Sequence, residues 1–93
     1  MNRRMTNKAF VIKRMRIYLA GLPDPLHVDS KDLIANNSWS RTTVLYLIKE
    51  VENTDADPAL VVSEFIKMFD RRSGMMFRVA YDVAVDLYDH VFL

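Results

Sequence analysis

Between Met75 and Leu93 the chain holds neither Pro nor Gly, and the turn-forming pair Ser73-Gly74 stands directly before that stretch. Ser73 to Leu93 therefore reads as a turn and N-cap followed by one helix of about five turns. At about 100° per residue, Arg78, Asp82, Asp86 and Asp89 fall on one narrow stripe. Phe77, Ala80, Ala84, Leu87 and Val91 form a second stripe, and Tyr81, Val85, Tyr88 and Phe92 form a third beside it. Roughly two-thirds of the circumference is apolar, so this helix has to be covered on several sides by neighbours. The pattern predicts a bundle with the C-terminal helix at its centre.

The rest of the chain supplies those neighbours. Asn7 to Ala20 is a predicted helix, stopped by Gly21 and by the Pro23 and Pro25 beyond it. Its buried face is Val11, Ile12, Met15, Tyr18, Leu19 and Leu22, while Phe10 and Ile17 lie away from that face, between Lys13 and Arg14. Gly21 to Val28 reads as a loop. Asp29 or Ser30 caps a short helix ending near Asn36, and Asn36-Asn37-Ser38 is a turn signal. A further helix is expected from Ser40 to Glu52, with Val44, Leu47, Ile48 and Val51 inward. Thr42, Thr43 and Val44 are β-branched and would suit a strand, but the 3.6-residue spacing favours a helix. Asp57-Pro58 starts the next helix, with a Thr54 cap one turn earlier as the competing boundary. That helix runs to Arg71, with Val61, Val62, Phe65, Met68 and Phe69 on its apolar face.

The expected fold is all-α: a single-domain helical bundle over residues 1–93, with four principal helices plus one short helix, and with residues 1–6 flexible. Composition agrees, since 51% of residues are hydrophobic and 27% charged, well inside the range of chains that collapse onto a core. No cysteine is present, which removes disulfides and thiolate metal sites and suits a reducing cytoplasm. The apolar run Ala9-Phe10-Val11-Ile12 is too short for a membrane span or a signal-peptide core. A soluble, cytoplasmic protein with no membrane partner is the expectation.

Net charge is only +1, yet Arg3, Arg4, Lys8, Lys13, Arg14 and Arg16 all precede the first acid, Asp24, whereas Asp82, Asp86 and Asp89 close the chain. The simplest expectation is that the two ends lie together and partly neutralise each other. Asp82, Asp86, Asp89 and His90 are metal-ligand types, and Asp86 and His90 are spaced to reach one ion, but the one other imidazole, His27, is remote in sequence. With no thiol nucleophile and only Gly21 and Gly74 to build a phosphate loop, the chain offers no signature of catalysis, no cofactor and no evident small-molecule substrate.

Two binding functions remain. The stretch from Lys31 to Ile48, with Ser40-Arg41-Thr42-Thr43-Val44 after a small polar turn, resembles the helix-turn-helix of bacterial repressors. The resemblance implies a DNA-binding regulator in which Ser40, Arg41 and Thr42 meet base edges, aided by Arg3, Arg4 and Lys8 on phosphates. The chain departs from that pattern at Ile34, Asn37 and Ser38, and the plain reading is two helices joined by a polar turn with Trp39 plugging the core. The leading expectation is instead a small non-enzymatic protein-protein interaction or adaptor module. It would self-associate through Phe10 and Ile17 with Phe77, Tyr81, Tyr88 and Phe92, large rigid side chains of the sort that interface centres favour.

Overall fold

The computed structural model describes residues 3–22 and 38–93, with side chains from residue 8 onward in the first of these segments. The chain is all-α: α1 (Arg3–Gly21), α2 (Ser38–Glu52), α3 (Pro58–Asp70) and α4 (Met75–Phe92). No strand occurs among the described residues. The short helix expected between Asp29 and Asn36 lies outside them.

Helix α1 begins at Arg3, four residues before the expected start at Asn7, because nothing from residue 3 to residue 7 breaks a helix. It ends where predicted, and the Leu22 amide closes the last turn on the Leu19 carbonyl at 3.1 Å. Val11 and Met15 are buried, with Ile12, Tyr18, Leu19 and Leu22 packed beside them, which is the predicted face. Lys8 reaches the Thr54 carbonyl at 2.9 Å, and the Leu22 carbonyl accepts from Arg41 at 3.2 Å, so α1 runs antiparallel to α2.

Helix α2 buries Val44, Leu47, Ile48 and Val51 as expected, and adds Ser40 and Thr43. It starts at Ser38, two residues earlier than predicted. Buried hydroxyls need partners, and Thr43 Oγ1 donates to the Trp39 carbonyl one turn back at 2.7 Å. Trp39, expected in the core, stands instead at the surface.

At α3 the local signals hold. The Asp57 side chain accepts from the Ala59 amide at 3.1 Å and Pro58 occupies the first helical position. Thr54 forms only a small turn, accepting from the Ala56 amide at 3.2 Å. Val62 and Phe65 are buried, while Met68, assigned to the same stripe, is exposed. The last helix is capped by Gly74 rather than Ser73, because the chain enters α4 at φ +116°, a region that side-chain-bearing residues rarely adopt. Val79, Ala80, Val83, Ala84, Leu87 and Val91 are its buried residues, a spacing of three and four that marks one helix face. Helix α4 touches all three other helices, and α2 does so as well.

Candidate helix-docking groove

Helices α2 and α3 are joined by the short connection 53–57, and both lean on α4 more extensively than on each other. That leaves a furrow between them. A cavity of about 300 Å³ lies at the end near Ala56 and Leu60, and another of about 460 Å³ at the end near Trp39 and Met76. Tyr46, Phe65 and Met68 line both, so the two adjoin along one groove.

Its floor is a row of aromatic rings supplied by three helices. Tyr46 tilts against Phe65 at 5.7 Å between ring centroids, Phe65 stacks on Phe69 at 4.3 Å, and Phe69 meets Phe77 at 5.6 Å. Arg72, just past the end of α3, lays its guanidinium over Phe69 and Phe77 at 5.9 and 5.4 Å. Such contacts hold the rings in fixed orientations. Above the floor, Tyr46, Leu60, Met68 and Met76 are roughly half exposed, an apolar surface on rigid helices that water covers at a cost. The ends differ in charge. Glu50 and Glu64 line one, Arg72 the other.

A second polar feature joins α1 to α4 away from this groove. The Tyr18 hydroxyl donates to Asp86 Oδ2 at 2.7 Å, and the Tyr18 ring sits 5.2 Å from that of His90. Arg14 donates to the His90 carbonyl at 2.6 Å, which suits a cation near a helix C-terminus. Burial, followed by the hydrogen bond to Asp86 and its charge, pushes the Tyr18 hydroxyl well above its ordinary value of 10.0. A tyrosine held protonated in this way fastens two helices; it does not relay protons at neutral pH. Its stabilising effect is present below pH 10 and is lost as pH rises above that. Alkaline unfolding followed by circular dichroism is therefore expected to flatten above about pH 10 in Tyr18→Phe, a variant that loses about 1 kcal/mol at neutral pH through the missing bond.

Helices α1 and α4 do pack together, but among the described side chains the expected ion pairs between them do not form. Asp82 faces Arg78 at 3.5 Å within α4, Asp86 takes Tyr18, and Arg16 meets Glu52 at 3.1 Å. His90 Nδ1 lies 3.0 Å from the Asp86 carbonyl, and His27 is outside the described residues. Among the described residues no group of three His, Cys, Asp or Glu could hold a metal ion, and no helix is long and apolar enough to cross a membrane.

The nucleic-acid candidates whose side chains are described stand in different settings. Ser40 is buried at 1% exposure and Arg41 is drawn to the Leu22 carbonyl, while Thr42 lines the groove. Lys8 is taken up by Thr54, and the Arg3 and Arg4 side chains lie outside the described part. The interface candidates also divide. Phe10 and Ile17 stand 57% and 61% exposed on the outer face of α1, and Phe77 lines the groove. Tyr88 and Phe92 pack against the core and against each other, at 5.0 Å, and Tyr81 is half-buried. Sequence reading missed Tyr46, Leu60, Met68 and Met76 as a group. The available signal was weak: Tyr46 and Leu60 are apolar residues outside the predicted inward stripes.

The chain matches no family model, no curated protein and no solved structure.

Proposed function

We propose that this protein is a non-enzymatic helical protein-protein interaction module whose α2/α3 groove receives an amphipathic helix from a protein partner. The observation that carries the reading is the apolar groove, with half-exposed Leu60, Met68 and Met76 beside an aromatic floor whose Tyr46 is itself half exposed. Helix-in-groove recognition uses such surfaces, in which rigid rings supply area at low entropic cost and methionines adapt to the incoming side chains. Helix α4 serves as the central support, since it carries both walls of the groove and α1 behind them. A cysteine-free chain is in keeping with a cytoplasmic setting.

The runner-up, a DNA-binding regulator, draws less support. A recognition helix presents its first residues to base edges, whereas here Ser40 is buried and Arg41 is occupied. Farther along α2 the exposed residues include Leu45 and Tyr46, which suit a protein surface better than a phosphate backbone.

A display library of amphipathic helical peptides, selected against the immobilised protein, tests the groove. Enriched peptides are expected to change the emission of Trp39, the one tryptophan, and to lose binding to Met68→Asp and Tyr46→Asp, two substitutions at exposed positions. Peptides that bind those variants as well as the parent would remove the groove from the account.

A further inference from the structure

We infer that the helix received by the groove is α1 of a second copy of this chain, an assignment that rests on the groove being a docking site. The outer face of α1 carries a chemistry that complements it. Phe10 and Ile17 are exposed on α1 and lie away from the face that buries Val11 and Met15. They lie about 10 Å apart along the axis, at the two-turn spacing of anchors in helix-in-groove recognition.

Charge completes the match. Lys13 and Arg14 flank the ridge on either side, whereas Glu50 and Glu64 flank the groove. Arg14 stands beside the ridge with its guanidinium 5.6 Å from the Phe10 ring centroid, but it is engaged by the His90 carbonyl at 2.6 Å, which leaves Lys13 as the cation for the groove. Among the described residues Lys13 and Glu50 form no ion pair within one molecule, so both remain available to another. Glu64 has only a loose, exposed pairing with Lys67 at 3.7 Å. Two ridges brought together would set cations against cations, whereas a ridge seated at the acidic end of the groove sets Lys13 against Glu50 and Glu64. Ridge into groove is the attractive combination.

Ridge and groove are different surfaces, so a single such contact is head-to-tail and leaves a ridge and a groove open. When each copy gives its ridge to the other's groove, the pair is an isologous two-fold dimer.

Sedimentation equilibrium of the full chain over a range of concentrations tests the pairing. The apparent mass is expected to rise from 10.9 kDa toward twice that value or beyond. Glu50→Lys and Lys13→Glu should each weaken association about tenfold or more, and combining them should restore most of it, because the swapped charges attract again. Phe10→Asp with Ile17→Asp should hold the protein at 10.9 kDa with unchanged helicity, since both side chains stand clear of the core. A parent protein that stays monomeric to its solubility limit overturns the inference, as does a charge-swapped double variant no better than its singles. A monomer that still binds library peptides in the groove would overturn the self-pairing alone and leave the interaction module standing.

Discussion

Replacing Leu87 by Ala is expected to lower the free energy of unfolding by about 3–4 kcal/mol, the cost of removing a buried isobutyl group and leaving part of its volume empty. Leu87 has no exposed surface and belongs to the cluster that α1, α2, α3 and α4 share. Small domains are stable by only ~5–15 kcal/mol, so this single change consumes a large part of the margin. The midpoint of thermal unfolding should fall by more than about 12 °C, read by circular dichroism. A fall of under about 1 kcal/mol would mean that Leu87 does not sit at the junction of the helices.

Phe65→Ala carries a comparable loss, about 3–5 kcal/mol, with a second consequence that Leu87→Ala lacks. Phe65 is 7% exposed, and its ring touches both Tyr46 and Phe69. Removing it takes away core burial and breaks the aromatic floor in the middle. Phe65→Leu separates the two effects: it keeps most of the volume, loses the stacking on Phe69 and should cost under about 2 kcal/mol. Chemical denaturation measures the stabilities, and peptide binding by Phe65→Leu, weaker than the parent, reads the floor.

The contrast between these residues shows what the sequence could disclose. Leu87, Val62 and Met15 were legible as inward positions because a helix that buries one face repeats its apolar residues every three or four positions, whatever it packs against. The start of α3 was legible for a still more local reason, since Asp57 and Pro58 act on the amides and the backbone of their own turn. Met68 was misassigned because its place on the α3 wheel, beside Phe65 and Phe69, is apolar, yet it opens onto the groove and is half exposed. Ser40 is the opposite case. A small hydroxyl residue usually stays in water, but here it is buried at 1% exposure.

The groove was illegible for the same reason. Tyr46, Leu60, Met68 and Met76 come from three helices, and nothing in the spacing along any one of them says that α2 and α3 diverge. Phe10 and Ile17, by contrast, could be read from the sequence as a surplus outside the buried face of α1, and they are exposed in the fold. Tyr88 and Phe92 looked like the same kind of surplus, but α4 has enough neighbours to draw them against the core.

Intermolecular paramagnetic relaxation reads which part of one copy lies against the groove of another, and a chain without cysteine is well suited to it. A spin label attached through Ala56→Cys, at the acidic end of the groove, would be mixed with unlabelled, isotope-enriched protein. Broadening of amide signals concentrated between Phe10 and Ile17 of the enriched copy is the predicted result. Broadening centred on Tyr88 and Phe92 instead, or none at any position, would contradict a ridge from one copy seated in the groove of another.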